Sequence, residues 1–315
     1  MKNFKENNLL LPEKYYLTDG GMETTLIFHQ GIDIPYFATF DLLKNPLHRK
    51  AIDRYFRQYL DMAAKHNTGF ILESVTWRAH SDWGPTLGYT QRELAEVNRQ
   101  AVEQVKELRQ EYLESIDHIL VSGCIGPRYD GYAVNKDGWE DYKSYHSPQI
   151  KTLRDCGVDM VTALTINSKE EALGIVMAAK DINVPTVISF TVEMDGNLPD
   201  GHSLQEAIEA IDSLTDSYAL YFMINCAHPL HFEQKLSALN GLSERICGIR
   251  ANASCKSHAE LDESPVLESG DKEELAQWYG IFKNRHPHIK VFGGCCGTDI
   301  THIEEICENL FNMDG

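Results

Sequence analysis

The sequence predicts an α/β fold closed as a (β/α)8 barrel (a TIM barrel), on three observations. Eight short apolar, β-rich runs alternate with amphipathic stretches along the 315 residues. That length suits one large barrel. Glycine and polar motifs gather just after the runs, at the strand ends where such a barrel carries its chemistry. A doubly wound open sheet is the competing α/β arrangement, and strand count and length favour the barrel. No repeat, low-complexity segment or linker interrupts the chain, so residues 1–315 read as a single domain.

The runs lie at 16–18, 69–74, 118–122, 160–164, 186–191, 219–224, 246–249 and 289–292. The first leads into Asp19-Gly20-Gly21-Met22-Glu23-Thr24. Its glycines allow close backbone approach by a ligand, and Asp19 and Glu23 could receive an ammonium group. A plain strand-to-helix turn with a helix-start carboxylate explains the same residues. The second run carries Glu73, followed by Thr76 and Trp77, and the third opens into Gly123-Cys124-Ile125-Gly126-Pro127-Arg128. The fourth ends at Leu164, and Glu193 follows the fifth. The sixth meets Asn225-Cys226, the seventh meets residues 250–254, and the eighth meets Gly293-Gly294-Cys295-Cys296-Gly297-Thr298. Between the runs, helical patterns cover 51–65, 91–113, 169–180, 204–214 and 272–285. Thr90 ahead of Glu93 and Ser168 ahead of Glu170 and Glu171 are start signals.

Composition narrows the function. A net charge of −18 argues against nucleic acid as a partner, since phosphate binding needs clustered Lys and Arg. No apolar run reaches the roughly 18 residues of a membrane span. Residues 1–8 lead only into the short apolar run 9–11, too little for a signal-peptide core, so a cytoplasmic protein is expected. In that reducing setting the eight cysteines read as thiols and ligands, not as a disulfide scaffold. A homo-oligomer is compatible with this composition.

The cysteines carry the strongest signal. Neighbouring side chains such as Cys295 and Cys296 fit an ordinary disulfide poorly, because they diverge. Both can turn toward one soft metal if the backbone folds tightly, and flanking glycines permit that turn. With Cys226 they make three thiolates from two strand ends, a zinc site with its fourth position open to substrate. Core packing is the plain reading of Cys226 alone, but a run with three glycines packs poorly as a strand. His228 could complete a four-ligand structural site, although it precedes Pro229 and starts the next helix. Cys124, Cys156, Cys247, Cys255 and Cys307 lack metal spacing and read as core or surface thiols.

Trp77, Trp83, Tyr89, Tyr129, Tyr132 and Trp139 fall in the expected upper loops, where ring faces attract a sulfonium or quaternary ammonium. Packing explains most such rings. The acidic stretches 261–263 and 271–274 read as solvated surface.

On these residues the chain resembles the zinc-dependent homocysteine S-methyltransferase family, from Asp19-Gly20-Gly21 through to Gly297-Thr298. Gly-Gly-Cys-Cys-Gly-Thr carries the resemblance, with Asn225-Cys226, Ser74-Val75-Thr76-Trp77, Gly123-Cys124-Ile125-Gly126-Pro127 and Ser189-Phe190-Thr191 in support. It implies a (β/α)8 barrel, Zn2+ on Cys226, Cys295 and Cys296, and Asp19 beside an amino-acid substrate. It also implies methyl transfer from a small sulfonium or ammonium donor to the homocysteine thiol, giving methionine. Gly20, Gly21, Glu23, Glu73, Thr76, Glu193 and Asn225 are the further candidate substrate contacts. One position departs: Leu164 stands where the family carries a glutamate that helps hold the homocysteine amino group. Either Glu73, Glu193 or Glu23 takes over, or the thiol is a different one.

A free thiol is mostly protonated at neutral pH and is then a poor nucleophile. A zinc held by three thiolates can accept it as a fourth ligand and displace its proton. No side-chain nucleophile is then needed, and the barrel's task is alignment. The expected partners are thus a small-molecule thiol and a methyl donor; by resemblance S-methylmethionine comes first and betaine next. An attached cobalamin is not expected, because the Asp-x-His-x-x-Gly pattern begun at Asp200-Gly201-His202 fails at Gln205. A zinc hydrolase would use His and carboxylate ligands instead. A non-catalytic zinc- or thiol-binding barrel is the remaining alternative.

Overall fold

The computed structural model describes residues 9–132, 134–257, 260 and 267–311. Residues 1–8 and the acidic stretch 261–263 lie outside them. Eight strands among the described residues pair in parallel, each with the next, and the last closes on the first. They are β1 (Tyr16–Leu17), β2 (Gly69–Glu73), β3 (Ile119–Ile125), β4 (Met160–Ile166), β5 (Thr186–Phe190), β6 (Phe222–Asn225), β7 (Ile246–Ala251) and β8 (Val291–Gly294). One long helix follows each. These are α1 (Pro46–Lys65), α2 (Gln91–Tyr112), α3 (Trp139–Asp155), α4 (Lys169–Ile182), α5 (Leu204–Thr215), α6 (Pro229–Ala238), α7 (Lys272–Arg285) and α8 (Ile300–Phe311). The predicted (β/α)8 barrel is the observed fold. No helix among the described residues is long and apolar enough to cross a membrane.

The helix starts follow local chemistry. Thr90 and Glu93 close a reciprocal capping box at α2, as do Ser203 and Glu206 at α5. Ser168 caps α4, and Asp271 accepts from Glu273 and Glu274 at α7. The outer core lies between strands and helices, because outward-facing strand residues such as Leu72, Val121 and Ile249 meet apolar helix faces.

Alternation along buried strands sends the other residues inward. Tyr16, Ile71, Leu120, Met160, Val187, Met223 and Val291 form a separate apolar plug within the barrel. Two residues further along β2, β3, β4, β5 and β6 come Glu73, Ser122, Thr162, Ser189 and Asn225, all buried. The interior thus changes from apolar to polar toward the C-terminal strand ends, and the candidate site sits on that polar layer.

Several edges differ from the sequence reading. β3 runs on through Gly123-Cys124-Ile125, and β4 runs on to Ile166. β6 begins at Phe222 and β8 at Val291, so Gly293 and Gly294 belong to the last strand. A Cβ on Gly293 would collide with Thr18 Oγ1 and lie 2.9 Å from Asp19 O, so glycine is required where β8 passes the end of β1.

Candidate metal centre and active site

Cys226 ends β6 and Cys295-Cys296 follow β8, with β7 lying between. β7 holds both segments by its backbone. Cys226 N–H donates to Arg250 O (3.2 Å), and Cys295 N–H donates to Ala251 O (2.9 Å). Thr298 closes the turn, its N–H (3.1 Å) and hydroxyl (2.7 Å) both donating to Cys295 O. Gly297 adopts φ +79°, a conformation that glycine takes at no steric cost.

The ligand atoms of Cys226, Cys295 and Cys296 all lie within 4.8 Å of one another. Cys226 and Cys296 sulfurs are 3.7 Å apart, and all three cysteines are free thiols. Tetrahedral zinc with Zn–S bonds of roughly 2.3 Å needs sulfurs about 3.8 Å apart, so the spacing fits one ion. The charge balance fits as well. Hydrogen bonds from Cys295 first, then Cys296, with Tyr132 and Thr165 adding to them, hold the Cys226 thiol well below its ordinary pKa despite burial. That thiolate pushes Cys295 up to about 12 and Cys296 up as well. A divalent cation among the three sulfurs would favour ionisation of all of them.

Asn225 braces the centre. Its Oδ1 accepts from Thr165 N (2.9 Å) and Ser189 Oγ (2.7 Å); its Nδ2 donates to Thr165 Oγ1 (2.8 Å) and faces Cys295 Sγ at 3.8 Å. Thr165 sits in a register shift of β4 at φ +61°, and Cys226 itself has φ +54°. Non-glycine residues seldom adopt such angles, and here both serve the cluster by turning Thr165 Oγ1 to within 3.8 Å of Cys226 Sγ.

His228 is not part of the three-residue group. It caps α6, its Nδ1 accepting from Leu230 N–H (3.3 Å), and burial lowers its pKa to about 4. His228→Ala should therefore keep one zinc per chain by metal analysis and lose about 1 kcal/mol of stability, the usual value of a helix cap. A drop in zinc content would restore His228 as a ligand.

Beneath the sulfurs lies a buried triad that sequence reading missed in part. Arg250, near the C-terminal end of β7, bonds Glu73 Oε2 through Nη1, Asp19 Oδ1 through Nη2 (2.6 Å) and Gly294 O through Nε (3.2 Å). Tyr55 donates to the second Asp19 oxygen (3.0 Å) and to Gly20 O (2.9 Å). Burial raises the Asp19 pKa, with Arg250 opposing, and lifts Glu73 to about 7 against the same arginine. Glu23 is also raised by burial, while Thr39 donates to it at 2.8 Å. The structure thus brings Asp19, Glu73, Asn225 and the three cysteines together, with Glu23 electrostatically coupled to Cys295 and Asp19.

Other candidates are placed differently. Gly20 and Gly21 pack against the loop of residues 295–298, and Gly21 N–H donates to Thr298 O (3.1 Å). Thr76 is fully buried and donates to Cys124 O (2.6 Å), bracing β2 against β3. Glu193 lies in the turn after β5, where its N–H donates to Asn197 O. Leu164 is half-buried, and its carbonyl accepts from Trp77 Nε1 (3.2 Å). Of the six loop aromatics, Tyr132 bonds a cluster sulfur, that of Cys226. Trp77 and Trp83 stack on Arg78, Tyr129 stacks on Arg128, and Tyr89 donates to Asp41 (2.8 Å).

Comparison with known proteins gives the family of the chain. The chain is 25% identical to homocysteine S-methyltransferase 1 of Arabidopsis thaliana, over 93% of each protein. It is 23% identical to homocysteine S-methyltransferase 2 of Saccharomyces cerevisiae, over 97% of this chain and 96% of the relative. Its fold matches the metallated form of the homocysteine methyltransferase MmuM from Escherichia coli, with a TM-score of 0.71 and 20% identity over 94% and 96% of the two chains. A model of the family described as homocysteine S-methyltransferase matches residues 16–310. The chain therefore belongs to the homocysteine S-methyltransferase family, enzymes that move a methyl group onto the sulfur of homocysteine.

Proposed function

We propose that this chain methylates homocysteine at a zinc ion held by Cys226, Cys295 and Cys296, using a small cationic donor. The three-sulfur cluster carries this reading: its spacing suits one zinc, and its outer side is open, with Cys296 exposed and Cys295 half-buried. When bound, zinc supplies a Lewis acid that keeps a substrate thiol deprotonated at neutral pH. The chain's own residues do the rest. Tyr132 and Thr165 hydrogen-bond the Cys226 sulfur, Asn225 braces Thr165 and faces Cys295, and the strained turns at Thr165 and Cys226 fix the directions. Asp19, anchored by Arg250 and Tyr55, stands beside the cluster as the acid for the amino group. The substrate sulfur attacks the donor methyl carbon, and a donor that began as a cation leaves neutral. A sulfonium such as S-methylmethionine is the first choice of donor and betaine the second, both by family resemblance.

Zinc-edge X-ray absorption on reduced protein tests this directly. L-homocysteine is expected to raise the sulfur neighbours of zinc from three to four. Four protein ligands with and without homocysteine, or no zinc, would remove the methyltransferase reading. A second reading, transfer to another thiol, rests on Leu164 and on Asp19 already bonding Arg250 and Tyr55. A three-sulfur site indifferent to homocysteine would favour it.

A further inference from the structure

We propose that Arg78 is the receptor for a substrate carboxylate, that of the acceptor thiol or that of the methyl donor. This deepens the methyl-transfer reading above and rests on it for the identity of the ligands. Arg78 follows β2 and is 5% exposed. Its guanidinium carbon lies 4.3 Å from the centre of the Trp77 ring and 3.9 Å from that of Trp83. Nη1 donates to the Tyr129 carbonyl (2.6 Å), while the buried Nε has no hydrogen-bond partner. Asp130 is the acid acting most strongly on it and Glu23 acts more weakly, yet neither bonds it among the described residues. Burial lowers its pKa only to about 10, so it stays charged at neutral pH.

A buried cation without an anion is costly unless something supplies one. The arginines at the barrel's other buried or half-buried positions show the contrast. Arg250 binds two carboxylates, Arg245 pairs with Asp212 and Arg109 with Asp159. Arg78 has instead two indole rings against its guanidinium fork, and a buried Nε with no hydrogen-bond partner. Such a fork matches the two oxygens of a carboxylate.

Its neighbours place it at the site. Trp77, which the guanidinium faces, donates through Nε1 to Leu164 O (3.2 Å), one residue before Thr165, whose Oγ1 lies 3.8 Å from Cys226 Sγ. Trp77 is also close to the centre, since the Cβ of a residue at position 131 would lie 3.3 Å from Thr165 and 3.9 Å from the Trp77 ring. Homocysteine and both candidate donors carry a carboxylate at the end of a short chain from the reacting atom. An arginine stacked on Trp77, itself bonded to β4 next to Thr165, gives that end a place.

The test compares zinc-loaded wild type, Arg78→Met and Arg78→Lys by titration calorimetry alongside turnover. The ligands are L-homocysteine and S-methylmethionine, each paired with its decarboxylated analogue (aminopropanethiol and aminopropyl-dimethylsulfonium). Wild type should bind at least one carboxylated ligand about tenfold or more tightly than its partner, the range of a charge-assisted bidentate bond. Arg78→Met should abolish that preference and leave affinity for the decarboxylated analogue unchanged. The pair that responds shows whether acceptor or donor uses the subsite. No preference in either pair, or a preference that survives Arg78→Met, overturns the proposal. Should Arg78→Met fail to fold, Arg78→Lys, which keeps charge but loses the fork, must still cut the preference severalfold; an undiminished one overturns it. Carboxylate preference without turnover would keep the subsite and sink the methyltransferase reading. Turnover with an Arg78-independent preference would do the reverse.

Discussion

Cys295→Ala is expected to lose bound zinc and turnover together while keeping the fold. The backbone at this position does not depend on the side chain. Its N–H is held by Ala251 and its carbonyl by Thr298, and Gly294 N–H donates to Asp19 O (2.9 Å) just before it. The substitution therefore deletes a sulfur from an intact turn. Two thiols remain, and the fall in metal affinity should exceed the roughly 10–100-fold that loss of an outer partner of a ligand costs. Zinc per chain after gel filtration, initial rate and melting curve check this on one preparation. A variant that is metal-free and still active would end the zinc mechanism. Cys124→Ala is the control. Its thiol is buried near Glu73 and raised well above its ordinary pKa by burial, so zinc content and rate should both survive its loss.

The two halves of the site differ in how far sequence disclosed them, and the reason is physical. The cysteine half is written locally. Close approach of backbones forces glycine at 293, a left-handed turn favours it at 297, and two adjacent thiols between them leave few other uses. The barrel is equally legible, because buried parallel strands read as apolar runs ending in polar residues. The triad is not local: Arg250 meets Asp19 across 231 residues and Glu73 across 177. The one available hint was an arginine directly after the apolar run 246–249, in a strand that a barrel must bury on both sides. Strand ends at β3 and β4 were read short because Gly123 and the residues after Leu164 look like turns. In the fold Gly123 faces Leu153, with no room for a side chain, and β4 continues past a register shift whose left-handed Thr165 has no sequence signature. Arg78 was hidden for the opposite reason, since two tryptophans in loops suggested rings awaiting a cationic ligand when they already hold a cation of the chain itself.

Arg250→Met is expected to destabilise the protein by about 3–5 kcal/mol near neutral pH, the usual result of leaving buried charge uncompensated. Arg250 is the cation shared by Asp19 and Glu73, and its Nε also ties β7 to Gly294 on β8, next to Cys295. Removing it leaves two acids close together out of water, so at least one must take a proton. That requirement sets the direction of the pH dependence. Glu73 already has its folded pKa raised from 4.5 to about 7, chiefly by burial. Between those values the folded chain binds a proton that the unfolded chain has released. The contribution of Glu73 is therefore fully present below the unfolded value and is lost as pH rises toward the folded one. Without Arg250 both acids shift further up, and stability should fall more steeply with rising pH, over a window reaching beyond neutrality. Denaturant melts at about pH 5 and about pH 8 measure this, and the linkage relation requires the two slopes to differ. Adding Glu73→Gln should flatten the variant's slope, because one of the two titrating acids is gone. Arg250→Lys should recover only part of the loss, since a single ammonium cannot reach Glu73, Asp19 and Gly294 with the geometry of the guanidinium fork. Equal slopes in wild type and Arg250→Met would mean that the three charges are not coupled, and would free Asp19 to meet a substrate ammonium unaided.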